Sequence, residues 1–370
     1  MINARQAARI MLLGALLLAP APLAAGRAAP GQASTQERLK RVSSELLARP
    51  ERVPDAVKEL KDILAADPSS AEAHMLLGIA YRSIGGQDLL GESVAELRQA
   101  IALNPKLAPA RMYLAYVYLD LGRPARARQE IAEALAQAPN QPQFLAVMGE
   151  AERQMKNPAR AIEVLRQALA ADASFAQARY YLALALLDAG QRPEAITELE
   201  RIVASGAKVA DVYLSLGAAY TDAGRLDDAL ETLSQGTWID PSRADMRVAL
   251  ARAFRLKGVF AKAEEQIKSA TPQPSLTASS QQLEFEYYSE LGQLRLARKQ
   301  FAAAAQAFQK VLDMDPAHGP THRSLAEVYL QQGAIAKARE HAALAEKQGA
   351  PLPDSLKKRL QQAGAPGPRK

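Results

Sequence analysis

One residue pattern recurs every 34 positions through most of this chain, and this period constrains the fold more than any other feature. The clearest copy consists of Leu216, Gly217, Tyr220, Ala223, Gly224, Ala229, Leu233, Gly236 and Pro241. The small residues Gly217 and Ala229 allow two helices to approach closely, and the large residues fill the space between them. Pro241 stops the second helix. The pattern therefore predicts a series of stacked helix pairs.

Eight further copies can be aligned with this one. They contain, in chain order, Leu47, Leu77, Leu114, Met148, Leu182, Leu250, Leu291 and Leu325. The first of these is degenerate. The copy at Leu77 has three extra residues, which we place in a longer turn that contains Gly85, Gly86 and Gly91. Nine copies in phase distinguish a repeat from a chance pattern.

This order of small, large, aromatic and proline positions resembles the tetratricopeptide repeat family over about residues 37–350. The resemblance implies an all-α fold, a right-handed α-solenoid of about nine helix-turn-helix repeats with a C-terminal capping helix. Three copies depart from the family pattern at the aromatic position. That position is occupied by Glu152, Leu186 and Arg295. We expect these copies to pack less tightly.

The chain divides into seven segments on this interpretation. They are a signal peptide (1–25), a flexible linker (26–36), a degenerate repeat with six regular ones (37–270), a linker or hinge loop (271–282), two further repeats (283–352), a capping helix (353–364) and a disordered tail (365–370). The polar, proline-containing composition of 271–282 is typical of a loop. The capping helix has Leu356 and Leu360 on one face, and Gly364 is expected to end it.

The first 25 residues have the order of a secretory signal: a charged start with Arg5 and Arg9, an apolar stretch and a small-residue exit region. The apolar run is shorter than the roughly 20 residues that a membrane-spanning helix needs. We therefore expect a cleaved signal, a bacterial periplasmic location and no integral membrane span, with the cytoplasm and an uncleaved anchor as alternatives. The chain has no cysteine, so disulfides and a lipid-modified cysteine are excluded.

The formal net charge of +6 does not indicate a nucleic-acid partner. When the signal and residues 354–370 are left out, the remaining chain has 39 basic and 39 acidic residues. A formally neutral body lacks the field that neutralises phosphates.

No set of residues points to catalysis, a cofactor or a metal site. His318 and His322 are four residues apart and Asp315 is near, but Gly319 and Pro320 separate the histidines, so we interpret them as surface polar residues. His74 and His341 have no partner in sequence. Trp238 precedes a helix end and is interpreted as a packing residue rather than a sugar-binding platform.

The function expected from the family is a non-enzymatic scaffold that binds a protein or peptide segment, within a machine that assembles or exports exopolysaccharide, outer-membrane proteins or pili. The alternative is a glycan-binding or glycan-processing accessory protein, which would need clustered exposed aromatic residues and paired carboxylates. The oligomeric state is left open.

In this family the first helix of each pair lines the concave face, so the residues of that helix outside the packing positions should contact the partner. These are Met75, Ile79, Met112, Tyr116, Leu119, Tyr180, Leu184, Leu187, Arg252 and Arg255. The apolar members lie roughly 200° around the helix from the contacts within their own repeat. They predict an amphipathic helix or extended apolar segment as ligand, with an acidic end near the two arginines. The alternative is that they pack against the adjacent repeat. The Lys and Asn clamp of the chaperone-binding members is not reproduced.

Overall fold

The computed structural model describes residues 34–271 and 278–363, which form nineteen α-helices and one short 3-10 turn, with no strand among them. The contacts divide the chain into two units, residues 1–215 and 216–370, and the division lies within α11. The helices are α1 Thr35–Ala48, α2 Val53–Ala66, α3 Ala71–Ile84, α4 Gln87–Leu103, α5 Ala108–Asp120, α6 Pro124–Gln137, α7 Pro142–Gln154, α8 Pro158–Ala171, α9 Ala176–Asp188, α10 Arg192–Ala204, α11 Ala210–Asp222, α12 Leu226–Ile239, α13 Ala244–Leu256, α14 Phe260–Ser269, α15 Ala278–Ala297, α16 Phe301–Met314, α17 Gly319–Gln331, α18 Ile335–Lys347 and α19 Asp354–Gln362. Odd-numbered and even-numbered helices from α1 to α18 pair as nine hairpins, which confirms the all-α repeat solenoid predicted from the period.

Small residues in the first helix of each hairpin set the distance to the second. A Cβ atom added at Gly149 would lie 2.4 Å from Leu165 Cγ, and one added at Gly217 would lie 2.4 Å from Leu233 Cγ. Gly78 meets Leu97 in the same way. Each large side chain therefore rests directly on the neighbouring helix backbone, as the small positions of the repeat predict.

From the α3–α4 hairpin to the α17–α18 hairpin, every turn within a hairpin contains a residue with positive φ just after the first helix. Gly122 has a φ of 66° and Gly190 a φ of 75°. At the equivalent position of the intervening hairpin, Lys156 adopts a φ of 64°. Glycine reaches this region without the steric cost that Cβ imposes, so the turn with Lys156 is the more strained one.

The two faces of the first unit differ in how tightly its helices pack. The first helices of consecutive hairpins, α3, α5, α7 and α9, pack on one another in sequence. Among the second helices of this unit, no two consecutive ones pack to a comparable extent. The first helices therefore form the inner surface of this unit, and the second helices form a more open outer side.

Several helix boundaries differ from the predicted ones. The extra residues near Gly91 were predicted to lengthen a turn, but they extend α4 to 17 residues. α1 begins at Thr35, within the predicted linker, where Ser34 accepts a hydrogen bond from the backbone of Glu37. α15 begins at Ala278, so the predicted loop through residue 282 is too long.

The C-terminal helix α19 packs as predicted for a cap. Leu356 and Leu360 are buried in one cluster with Ala350 and Leu352. Arg359 Nη1 donates to Glu327 Oε1 of α17 at 2.8 Å. The apolar flank of the last hairpin is therefore covered. The predicted signal peptide, most of the linker, the middle of the hinge loop, Gly364 and the tail lie outside the described residues.

We predict that Gly149→Ala destabilises the first unit, whereas Gly91→Ala stabilises it slightly. The added methyl at Gly149 overlaps Leu165, and overpacking of this kind costs on the order of 1–3 kcal/mol. Gly91 is exposed within α4 and has no atom near its Cβ position, so alanine there gains about 0.5–1 kcal/mol of helix propensity. Urea unfolding followed by circular dichroism measures both changes, and equal midpoints for the two variants would contradict the close-approach assignment.

Candidate protein-binding surface

The eight apolar residues predicted to contact a partner lie at different depths in the inner surface of the first unit. Met75, Met112, Tyr116 and Leu119 are buried and belong to one apolar cluster shared by α3, α5 and α7. Because consecutive first helices pack on each other, a side chain turned away from its own hairpin meets the next one. These four are therefore packing residues. The prediction that they line an open groove is wrong for them.

The predicted residues that stay partly accessible to solvent lie mainly on α9. Tyr180, Leu184 and Leu187 are half-buried and follow a spacing of four and then three, which places them on one side of the helix. We call these three residues the α9 stripe. The hydroxyl groups of Tyr180 and Ser215 are 3.3 Å apart, and burial raises the pKa of Tyr180. Ile79 is also half-buried, on α3.

An ion pair between two half-buried side chains joins α3 to α5. Arg82 Nε donates to Asp120 Oδ2 at 2.7 Å, and the Arg82 guanidinium lies 4.8 Å from the ring centroid of Tyr116. Burial raises the pKa of Tyr116 well above its usual value. The phenol therefore stays protonated, and the arginine stacks on a neutral ring.

The same kind of pair recurs between other first helices. Arg153 Nη1 donates to Asp188 Oδ2 at 2.9 Å and joins α7 to α9. In the second unit, Arg255 Nε donates to Glu290 Oε1 at 2.6 Å and joins α13 to α15. Burial raises the pKa of Glu290, while the hydrogen bond from Arg255 lowers it in part.

The acidic partners in these pairs are not among the predicted residues, although the chain carries a signal for them. Each acid stands 35 or 38 residues after its arginine, close to one repeat length. An alignment of the repeats that compares charges between neighbouring copies would have found them. Reading each copy alone could not.

The predicted basic end of the groove is also corrected. Arg255 is paired with Glu290, and Arg252 Nη2 donates to Asp222 Oδ1 at 2.8 Å. Both arginines lie in the second unit, whereas the α9 stripe lies in the first. Their charge is already compensated within the protein, so they give no reason to expect an acidic end on the ligand.

The histidines near the last hairpin form a pair that the sequence did not suggest. His322 Nε2 donates to the carbonyl oxygen of Pro316 at 3.0 Å, so in neutral His322 the other ring nitrogen is an acceptor. That nitrogen lies 2.9 Å from His341 Nδ1, which therefore donates to it. His318 Nδ1 instead lies 2.8 Å from Thr321 Oγ1. Within the described ranges, no group of three or more His, Cys, Asp or Glu residues is placed to hold a metal ion.

Trp238 is not a packing residue, contrary to the prediction. Its side chain lies near the end of α12 and is 75% exposed. An aromatic residue near a helix end packs in the core only when it lies on the core face, which in α12 is formed by Ala229, Leu233 and Gly236. Trp238 is two residues beyond the last of these and turns outward.

Among the helices that the structure describes, none combines the length and apolar character required to cross a bilayer.

Stacked helical hairpins with an inner surface of first helices define a repeat protein of the interaction-scaffold class. The chain belongs to the tetratricopeptide repeat family: models of this repeat match residues 89–151 and 295–360, residues 126–258, and residues 45–89. Proteins of this family bind protein or peptide partners. No curated protein matches the sequence.

Two solved structures illustrate the likeness. One chain of the APC/C hetero-tetramer Cut9-Hcn1 superposes with a TM-score of 0.69 at 15% identity over 90% of this chain, which spans 64% of that one. PilW, described as a widely conserved type IV pilus biogenesis factor, superposes with a TM-score of 0.50 at 18% identity, covering 58% of this chain and 97% of its own. At these identities the likeness shows the fold alone.

We predict that the last hairpin loses stability as the pH falls below about 6.5, the ordinary pKa of histidine. Burial lowers the pKa of His341, and the neighbouring His322 lowers it further, so the unfolded chain takes up the proton more readily than the folded one. Stability from this group is complete above the unfolded pKa and is lost as the pH falls towards the folded pKa.

The measurement is the denaturation midpoint of the full chain between pH 7.5 and 5.5, compared with His341→Gln. The variant should lose less stability over this interval than the unchanged protein. An identical pH dependence of the two proteins would show that His341 contributes nothing.

Proposed function

We propose that this protein is a non-enzymatic scaffold that holds a segment of a protein partner on the inner surface of its first unit. The observation that carries the proposal is the α9 stripe, a set of apolar side chains that the hairpin stack leaves half-exposed beside the Arg153–Asp188 ion pair. Apolar anchors beside fixed charges are what a groove needs to bind an amphipathic segment in one orientation.

The ligand best suited to this surface is an amphipathic helix or an extended apolar segment. Its apolar side chains would cover Leu184 and Leu187, and its polar groups would face the ion pair. Family membership supports a protein ligand and a non-catalytic role, since tetratricopeptide scaffolds are generally not enzymes.

We further propose that the protein is exported to the periplasm and serves a machine that assembles or exports envelope components such as exopolysaccharide, outer-membrane proteins or pili. This setting rests on the signal-like order of residues 1–25. The likeness to the pilus factor is a likeness of fold alone and does not support this setting.

The second candidate function remains a glycan-binding or glycan-processing accessory protein. The observation that favours it is the exposure of Trp238, because an exposed indole provides a face on which a sugar can stack. Binding to a glycan array that is lost in Trp238→Ala would support this alternative over the scaffold.

We predict that Leu184→Ala combined with Leu187→Ala reduces capture of the natural partner at least tenfold. Loss of two interface anchors costs about 2 kcal/mol or more, and about 1.4 kcal/mol corresponds to a factor of ten. The measurement is quantitative capture from an extract of the native cell, with helicity checked by circular dichroism. Tyr116 is unsuitable for this test because it is buried, so its removal would report on stability.

The matched control combines Leu103→Ala with Leu256→Ala, which makes the same chemical change at two exposed leucines elsewhere. This control should retain full capture. Equal capture by both double variants would refute the assignment of the α9 stripe.

We predict that residues 1–35 fused to a reporter direct it to the periplasm and are cut near Ala25, because the segment has the order of a signal peptide. A charged residue in place of Leu16 should block processing by interrupting the apolar stretch. Mass spectrometry of the product measures both outcomes, and a full-length cytoplasmic product would exclude export.

A further inference from the structure

The outer side of the first unit contains a groove of about 710 Å³ between α6 and α8, with α7 beneath it. Its apolar floor is formed by Leu135, Met148 and Val164. Glu152 lies within the groove, and Arg128 and Arg160 stand on its rim. The groove lies on the second helices and is separate from the α9 stripe.

The groove exists because Glu152 occupies the aromatic position of its repeat. In the preceding hairpin this position holds Tyr118, which is 1% exposed and whose hydroxyl accepts a hydrogen bond from Arg98 Nη2 at 2.8 Å. One repeat later, Glu152 replaces the tyrosine and Ala132 replaces the arginine. The ring and the guanidinium that fill the space between α4 and α6 thus have no equivalent between α6 and α8.

A basic residue also stands at the spacing that places a cation over the ring in other hairpins. In three hairpins a basic residue eight positions after the aromatic residue lies over its ring. The pairs are Arg126 over Tyr118 at 5.9 Å, Lys262 over Phe254 at 5.5 Å and Lys337 over Tyr329 at 5.5 Å. Arg160 stands eight positions after Glu152, lines the groove and forms an ion pair with Glu163 of its own helix at 2.5 Å. It therefore has the sequence position of a ring-stacking cation beside a repeat position that holds no ring.

The buried carboxylate of Glu152 has room for a further hydrogen-bond donor. The residue is 7% exposed, and within the described part of the chain its Oε2 accepts one hydrogen bond, from Asn157 Nδ2 at 3.1 Å. Its Oε1 lies 3.7 Å from Arg128 Nη1, which is longer than a hydrogen bond. An ionised carboxylate can accept about four hydrogen bonds, and a buried one gains from each that is supplied.

We propose that this groove binds a tyrosine side chain presented by a partner protein. The ring lies on Leu135, Met148 and Val164 with Arg160 beside its face, and the phenolic hydroxyl donates to Glu152 Oε1. The incoming side chain thus replaces the tyrosine that this repeat lacks. The amides of Gln129 and Gln167 on the rim can bond the peptide backbone around it, which favours a polypeptide over a free phenol.

This inference rests on the proposed function only in taking the partner to be a protein. It adds a second contact, on the opposite side of the first unit from the α9 stripe. A segment bound at both places would gain affinity by linkage of the two contacts.

The test uses the full chain and two capped tripeptides, acetyl-Gly-Tyr-Gly-amide and acetyl-Gly-Phe-Gly-amide, with dissociation constants measured by ligand-observed NMR. The tyrosine peptide should bind at least tenfold more tightly than the phenylalanine peptide. The reason is that the phenylalanine ring covers the carboxylate without supplying a donor to it.

Two variants that refill the groove should each weaken binding of the tyrosine peptide at least tenfold. Glu152→Tyr restores the aromatic side chain of the repeat, and Ala132→Arg restores the guanidinium found at Arg98. The matched controls are Glu133→Tyr and Ala136→Arg, which make the same changes at exposed positions of α6 outside the groove and should bind like the unchanged protein. Ala132→Arg changes an exposed residue, so it keeps the test valid if Glu152→Tyr fails to fold.

Equal binding of the two peptides, or full binding by a folded groove-filling variant, would overturn the proposal. The Leu184→Ala and Leu187→Ala double variant should bind the tyrosine peptide normally while losing the natural partner. Failure of the peptide experiment alone therefore leaves the proposed function standing, and failure of the capture experiment alone leaves the groove assignment standing.

Discussion

Where the small position of a hairpin is glycine, a large side chain of the second helix rests on the backbone of the first, and the rest of the structure depends on this contact. The contact needs a residue without a bulky side chain on the first helix, as at Gly149 beneath Leu165. It fixes the distance and angle between the two helices, so that one hairpin has nearly the same shape as the next. Similar units then stack through similar faces, and the sequence repeats because the packing repeats.

Helices pack more closely on the inner side of the first unit than on its outer side, and both candidate binding sites follow from that difference. First helices pack on each other, so most of their apolar side chains are buried, while the α9 stripe and Ile79 are half-buried. Second helices lie farther apart, and the space between them must be filled by residues such as Tyr118. Where a repeat supplies Glu152 in place of that ring, the space opens to solvent as a groove.

Paired charges join neighbouring hairpins of the first unit. Arg82 with Asp120 and Arg153 with Asp188 connect successive first helices. Asp188 is exposed, so its pair with Arg153 adds little net stability. Arg82 and Asp120 are largely withdrawn from solvent, and a stacking that separated them would leave poorly solvated charges apart. This pair therefore favours one stacking of otherwise similar surfaces.

The sequence by itself determined the family, the nine hairpins and the close-packed small positions, because these follow from local spacing and from side-chain size. It also located Tyr180, Leu184 and Leu187 on one side of a helix. It could not decide which residues of the first helices are open to a partner, since burial of Met112 or Tyr116 depends on the neighbouring hairpin. Tertiary structure decided the rest: pairing of the two helices of the last hairpin brought His322 to His341, and contacts between neighbouring hairpins left a groove at the missing ring of Glu152. These contacts join residues that are distant in sequence, so the pattern within one helix does not contain them.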